Sequence, residues 1–143
     1  GMRVMCSARM DTDFIYEAFR LGAGAVLYSG CHPQDCHYIT GQLIGAKRAD
    51  RLAKIFSKME MTEGRFRVEW ISAAEGDKYA RVLNEMQNVL DNIPKQDLID
   101  EIERLKPDML KRLKNFPGVP GVAEAMDYTE TLMGAIQVQK EPA

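Results

Sequence analysis

The sequence is poor in the features that most readily indicate a class of partner. It has three cysteines, two histidines and one tryptophan in 143 residues. No apolar run approaches the roughly 20 residues of a membrane-spanning helix. The formal net charge of -2 at pH 7 leaves no basic excess to attract nucleic acid or an anionic membrane. We therefore expect neither a nucleic-acid nor a membrane partner.

Two common enzyme signatures are also missing. The glycine-rich segment GAGA at residues 22–25 precedes a predicted strand, whereas the dinucleotide-binding loop follows one. Serine, histidine and aspartate are present, but no nucleophile elbow arranges them as a hydrolase would. An odd number of cysteines without a secretory signal favours a reducing cytoplasm over a disulfide framework. We expect a cytoplasmic protein whose cysteines serve as ligands or in catalysis.

Three short apolar runs predict buried strands, at Arg3–Met5, Ala25–Tyr28 and Phe66–Ile71. Apolar residues at helical spacing follow each run and predict three helices, with the inward stripes Phe14, Ile15, Ala18 and Phe19, then Leu52, Ile55, Phe56 and Met59, then Val82, Leu83, Met86 and Leu90. The alternation of strand and helix favours a parallel sheet with right-handed crossovers. We predict an α/β domain over residues 1–92, with a short parallel sheet of about three strands flanked by helices in three layers.

Local signals predict where these helices begin and end. Asp11 is a plausible helix N-cap, and Ser72–Glu75 matches a capping box. Gly22 and Gly24 are expected to end the first helix, and Gly64 the second. The basic face of the second helix is expected to be solvated; it carries Lys47, Arg48, Lys54 and Lys58.

The remaining residues, 93–143, are predicted to form a helical extension. Apolar residues from Leu98 to Leu113 indicate one amphipathic helix, with a kink or break at Pro107. The segment FPGVPG at residues 116–121 predicts a turn, and residues 122–136 predict a last helix. We expect the extension to pack on the α/β domain or on a second subunit.

The residues with metal and redox chemistry follow the predicted strands. Cys6 comes directly after the first strand, and Cys31 comes after the second. The segment GCHPQDCHY at residues 30–38 adds Cys36, together with His32 and His37. Because the carboxyl ends of parallel strands share one edge of a sheet, where open α/β folds place their sites, the three thiols are predicted to converge.

The residues alone leave three interpretations of this cluster open. Cys6, Cys31 and Cys36 could be ligands of an iron–sulfur cluster or of zinc, with His32 or His37 as a fourth ligand. The cysteines could instead be small buried residues at strand ends, with the histidines bonded to the backbone of a turn. A redox dithiol is the third interpretation, although the C-x-x-C spacing that lowers a thiol pKa is absent.

Three blocks of the sequence resemble one protein family. VMCSARMD (4–11), GCHPQDCHY (30–38) and RVEWISAAEG (67–76) are similar, in order and spacing, to the delta subunit of methyl-viologen-reducing (F420-non-reducing) hydrogenase. The same domain also occurs fused to heterodisulfide reductase subunits. The resemblance covers roughly residues 3–90 and stops before the C-terminal extension.

The resemblance implies an electron-transfer subunit of an oxidoreductase complex, with no catalysis of its own. Members of the family carry a [2Fe–2S] cluster and pass electrons from a hydrogenase or formate dehydrogenase to heterodisulfide reductase in anaerobes such as methanogens. Matched by motif, Cys6, Cys31 and Cys36 are the expected cluster ligands or their close neighbours.

The sequence departs from the family pattern in two ways. Ala8 and Gln34 stand where the family usually has glycine. Family members also begin with a further strand and helix that carry additional cysteines, and this chain starts after that segment. We therefore expect an incomplete ligand set, and a bare sheet edge that a homodimer or the extension could cover. A cluster-free scaffold and a zinc protein using the three cysteines and one histidine are the alternative functions.

Overall fold

A computed structural model describes Gly1 and residues 3–114 of the chain. Its elements are, in order, a 3-10 turn (Ser7–Arg9), helix α1 (Thr12–Arg20), strand β1 (Val26–Gly30), a second 3-10 turn (Pro33–Asp35), helix α2 (Gly41–Lys58), strand β2 (Phe66–Trp70), helix α3 (Gly76–Asp91) and helix α4 (Lys95–Lys114). This order confirms the predicted α/β fold with a C-terminal helix. The turn predicted at residues 116–121 and the helix predicted over 122–136 lie outside the described residues.

The sheet consists of β1 and β2, which pair in parallel with Val26 opposite Phe66. The parallel sheet and two of the predicted strands are therefore confirmed. The strand predicted at Arg3–Met5 is wrong, because the sheet of the described part of the chain has two strands. A three-residue strand gains few ladder hydrogen bonds, and Met5 is 83% exposed, so no buried apolar face holds this segment against the sheet.

The predicted ends of the first helix are confirmed, and one predicted end of the second is not. Asp11 accepts a hydrogen bond from the backbone N–H of Asp13 at 3.3 Å, as an N-cap does. Gly22 follows α1 with a φ of 95°. After α2 the left-handed position belongs to Glu60, with a φ of 55°, whereas Gly64 lies in the turn before β2. The helix therefore ends several residues earlier than the glycine suggests.

One apolar core lies between the sheet and the helices. Its buried members from the first 60 residues are Ile15, Tyr16, Phe19, Tyr28, Ala49, Leu52, Phe56 and Met59. Half of the residues predicted to face inward on the first three helices are among them or pack against them. Phe14 and Leu83 are exposed instead, because α1 and α3 turn the faces of their neighbours Ile15 and Val82 inward.

Helix α4 belongs to the same core. Ile102, Leu105 and Met109 are buried in it, and the compact unit runs from Gly1 to Leu113. The helix continues through Pro107 without the break that the sequence allows. No helix in the described range has both the length and the apolar character needed to cross a bilayer.

A buried arginine connects α4 to the sheet. Arg65, directly before β2, is 1% exposed. It donates to the carbonyl oxygen of Gly24 at 2.7 Å and pairs with Glu101 of α4 at 2.8 Å. A buried guanidinium is stable only when such partners replace the lost water, so this contact fixes the position of α4.

Candidate cysteine site

The three cysteines lie next to short elements near the start of α2. Cys6 directly precedes the first 3-10 turn, Cys31 directly follows β1, and Cys36 directly follows the second 3-10 turn. All three are free thiols and half-buried. They are therefore accessible enough to bind a ligand and protected enough to hold it in place.

Gly41, the first residue of α2, allows two of the sulfurs to approach the helix closely. A Cβ atom at Gly41 would lie 2.5 Å from Cys6 Sγ and 3.4 Å from Cys36 Sγ. These two sulfurs are therefore separated by no more than the sum of the two distances. Cys31 lies near Cys36 as well, since each of these two thiols shifts the pKa of the other. The structure thus brings together the three thiols that the sequence predicts to converge.

The environments of two thiols differ in their effect on ionisation. Burial raises the pKa of Cys31 above the usual value for a thiol, and the hydrogen bond with Cys36 acts in the same direction. Burial also acts to raise the pKa of Cys36, but the backbone N–H groups of Gln42 and Tyr38 and the neighbouring thiols lower it on balance. The Gln42 N–H donates to Cys36 Sγ at 3.2 Å. Because the thiolate is the ligand form, Cys36 is better prepared than Cys31 to bind a metal.

Close packing positions the turn that follows Cys6. Ser7 lies against two glycines, Gly30 at the end of β1 and Gly45 on α2. A Cβ atom added at Gly30 would lie 2.8 Å from Ser7 Cβ, and one added at Gly45 would lie 2.7 Å from Ser7 Oγ. The hydroxyl of Tyr28 donates to the carbonyl oxygen of Ser7 at 2.6 Å. A larger residue at either glycine would push this turn, and Cys6 with it, away from α2.

Arg48 binds the same turn. Its guanidinium donates to the carbonyl oxygens of Ala8 at 2.8 Å and Met10 at 2.6 Å. The prediction that this residue is merely solvated is wrong, because the face of α2 that carries it packs against the turn. Two glycines four residues apart, Gly41 and Gly45, were the available sequence signal for that close approach.

Two buried polar atoms near the thiols lack a hydrogen-bond partner in the described part of the chain. They are Ser7 Oγ and Gln42 Oε1. Ser7 is 5% exposed and Gln42 is 1% exposed. Buried polar atoms are nearly always bonded, so these two are exceptions that the close packing of this region leaves unsatisfied.

His32 is bound by an acidic residue at the start of α3. Its Nε2 lies 2.6 Å from Glu75 Oε2, which also accepts a hydrogen bond from the Ser72 N–H at 2.8 Å. The Ser72 N–H, followed by His32, lowers the pKa of Glu75 to about 2. The Glu75 to Ser72 hydrogen bond is the one expected of a capping box, but α3 begins after Glu75, at Gly76. The contact with His32 therefore ties the cysteine loop to α3.

His37 packs edge-on against Tyr38, with ring centroids 5.1 Å apart. Across Gly1 and residues 3–114, no group of three or more histidine, cysteine, aspartate or glutamate side chains is arranged to hold a metal ion. The three thiols supply the type of donor that an iron–sulfur cluster uses, but in this arrangement the described residues do not form a complete ligand set. The zinc interpretation gains no support from this geometry.

The fold and the site define a small α/β domain with three converging thiols at the carboxyl end of a parallel strand. The family profile described as methyl-viologen-reducing hydrogenase, delta subunit, matches residues 1–93. The chain therefore belongs to this family.

Individual relatives are of two kinds, and the first consists of iron–sulfur subunits of F420-non-reducing hydrogenases. The vhc iron–sulfur subunit of Methanococcus voltae is 36% identical over 110 residues, which cover 77% of this chain and 68% of that protein. The corresponding iron–sulfur subunit from Archaeoglobus profundus is 42% identical over 84 residues, 59% of this chain and 61% of that protein.

The second kind is part of a heterodisulfide reductase. One subunit of the Ferredoxin/F(420)H(2)-dependent CoB-CoM heterodisulfide reductase of Methanosarcina acetivorans is 36% identical over 123 residues. That match covers 86% of this chain but spans only 14% of the reductase protein, which we call the long reductase subunit.

Proposed function

We propose that this chain is an iron–sulfur subunit that passes electrons between a hydrogenase and a heterodisulfide reductase. The observation that carries the proposal is the convergence of Cys6 and Cys36 beside Gly41, with Cys31 next to Cys36. The names of the relatives support it, since one kind is an iron–sulfur subunit of a hydrogenase and the other belongs to heterodisulfide reductase.

The three thiols would hold a [2Fe–2S] cluster together with one further ligand from outside this group. Such a cluster, when bound, supplies one-electron transfer at a potential set by burial and by hydrogen bonds to its sulfurs. The chain's own residues provide that setting. Gly41 leaves the space beside two thiols, and the Gln42 N–H stabilises negative charge on Cys36 Sγ.

The relatives favour a hydrogenase as the electron donor over formate dehydrogenase, the other donor that the family resemblance implies. The acceptor would be the flavin-bearing heterodisulfide reductase of an anaerobe such as a methanogen. The site of action would be the cytoplasm. The protein would turn over no substrate itself.

The test is anaerobic purification of the full chain co-expressed with the hydrogenase and heterodisulfide reductase subunits of its own genome. We expect iron and acid-labile sulfide in equal amounts, visible absorption that bleaches on reduction, and hydrogen-dependent reduction of the reductase. Cys36→Ser should abolish the iron and the electron transfer. Gln34→Ser changes an exposed residue between the two cysteines and should leave both intact. Colourless, iron-free wild-type protein in the assembled complex would contradict the proposal.

A cluster-free scaffold is the second candidate, and the incomplete ligand set among the described residues favours it. In that case the variants Cys31→Ser and Cys36→Ser would bind the hydrogenase and the reductase as tightly as the wild type does. Both variants would also leave hydrogen-dependent reduction of the reductase unchanged. Stoichiometric zinc with no iron would point instead to a zinc site.

A further inference from the structure

Large apolar side chains lie close in sequence to two of the cysteines and face solvent. Five of them, which we call the apolar rim, flank Cys6 and Cys36 in the sequence, with exposed fractions of 83% for Met5, 49% for Tyr38, 81% for Ile39, 52% for Leu43 and 49% for Ile44. Exposed apolar residues scattered singly are ordinary, whereas a group of them beside one site marks a surface for binding another protein.

The rim adjoins the thiols at Gly41. A Cβ atom at Gly41 would lie 3.5 Å from Tyr38 Cβ and within 3.4 Å of two sulfurs, and Gly41 lies in the sequence between the rim residues Ile39 and Leu43. Ile44 follows Gly41 by three residues, so it borders the face of α2 that packs against Cys6. A partner that covers the rim therefore approaches the thiols directly.

The backbone at Ile39 supports a functional role for the rim. Its φ is 57°, in the left-handed region that a β-branched side chain disfavours. Its side chain is exposed, so packing within the described part of the chain does not explain why isoleucine is used there. Strained residues of this kind concentrate at binding and catalytic sites.

The charges near the rim distinguish between possible partners. Arg3, Arg9 and Lys47 are exposed in the two segments that carry the rim, against one exposed acid of the cysteine loop, Asp35. Two copies of the chain facing each other would bring these positive charges together, which disfavours a homodimer through this face. A partner with an apolar centre and an acidic border fits better.

We propose that the apolar rim is the docking surface for the long reductase subunit, which would present an apolar patch with an acidic border. This rests on the proposed function and adds the surface to it. In the Methanosarcina acetivorans relative, the region similar to this chain is covalently joined to the rest of the long reductase subunit, so the two parts are held together there by the polypeptide. In this chain, non-covalent binding through the rim would hold the two parts together instead.

The test uses the tagged full chain co-produced with the long reductase subunit and the hydrogenase of the same genome. The double variant Ile39→Asp/Ile44→Asp should reduce the co-purified long reductase subunit at least about tenfold, since buried apolar anchors dominate such interfaces. Ile99→Asp is the matched control, because Ile99 is 55% exposed on α4, and it should retain wild-type binding. Lys47→Glu should weaken binding by about threefold at low salt and less at high salt, while Lys58→Glu, at the far end of α2, should not.

A photo-crosslinking amino acid in place of Ile39 gives an independent measurement that does not depend on lost affinity. It should crosslink to the long reductase subunit, and the same group in place of Ile99 should not. Equal binding by the double variant and the wild type, with no crosslink from position 39, would overturn the surface alone. Wild-type chain that captures neither reductase nor hydrogenase would overturn the proposed function as well. A wild-type dimer that the double variant abolishes would show that a second copy, not the reductase, occupies the rim.

Discussion

Replacing Gly41 with alanine should damage the cysteine site selectively. The added Cβ would lie 2.5 Å from Cys6 Sγ, whereas an ordinary contact begins at 3.4 Å, so the sulfur would have to move by about 0.9 Å. Forced movements of this kind in packed regions cost about 1–3 kcal/mol. Alanine also regains up to about 1 kcal/mol of helix propensity. We expect a net loss of about 1–2 kcal/mol in the free energy of unfolding and a displaced ligand.

Gly76 provides the matched control, because it is the first residue of α3 as Gly41 is of α2. A Cβ atom at Gly76 meets nothing within 4 Å. Gly76→Ala should therefore be neutral or stabilising by up to about 1 kcal/mol. The two variants isolate the contact with the sulfurs from the general effect of removing a helical glycine.

The measurements are urea denaturation of the reduced, metal-free chain and iron per chain after anaerobic co-expression. Gly41→Ala should unfold at lower urea than the wild type and carry much less iron, while Gly76→Ala should match or exceed the wild type in both. Equal stability and equal iron content in the two variants would refute the role assigned to Gly41.

Three other residues of the fold lead to predictions for stability. Arg65→Met should lower the free energy of unfolding by about 3 kcal/mol because it leaves the Glu101 carboxylate without its buried partner; adding Glu101→Leu should restore part of that loss in the same denaturation assay, since the bonds to the Gly24 carbonyl and from Thr62 stay broken. Ile39→Asn should raise the free energy of unfolding by about 1 kcal/mol, since asparagine tolerates the left-handed backbone better, and should weaken capture of the reductase. The Glu75 carboxylate has a folded-state pKa of about 2, below its ordinary value of 4.5, so its stabilising contribution is complete above pH 4.5 and is lost as the pH falls toward 2. Glu75→Gln should therefore flatten the acid limb of a stability curve measured between pH 6 and 2, and an unchanged limb would count against the contacts of Glu75 with the Ser72 N–H and His32.

The parts of the fold that follow from local patterns could be predicted from the sequence. The helical stripes and two of the strands are set by residues close together in the chain, and Asp11 caps α1 through the N–H two residues later. The place of Cys31 could be predicted because its loop leaves the carboxyl end of β1, where sites form in parallel sheets. The prediction for Cys6 rests on a wrong reason, since Cys6 precedes a 3-10 turn and follows no strand of the described sheet. Arg3–Met5 misled the prediction, because an apolar run does not reveal whether a neighbouring strand is available.

The contacts that position the site could not be predicted, because they join distant residues through the backbone. Arg48 reaches carbonyl oxygens of residues 38 and 40 positions earlier, and Arg65 reaches that of Gly24, 41 positions earlier. The sequence does not indicate which carbonyl oxygen an arginine side chain will bind. The spacing of Gly41 and Gly45 indicates a close approach to one face of α2, but the sequence does not show that the turn after Cys6 is the segment that makes it.

The family match and the folded unit end at different residues, and helix α4 lies between these two ends. The family profile ends at residue 93, whereas Ile102, Leu105 and Met109 of α4 are buried in the core of the matched region. Burying each of these side chains contributes about 1.5–3 kcal/mol, and together they approach the whole net stability of many domains. A fragment cut at the family boundary would expose the apolar surface that these residues cover and would leave Arg65 without Glu101. The span that the family profile matches is therefore shorter than the span that folds, and studies of the cysteine site need the chain through Leu113.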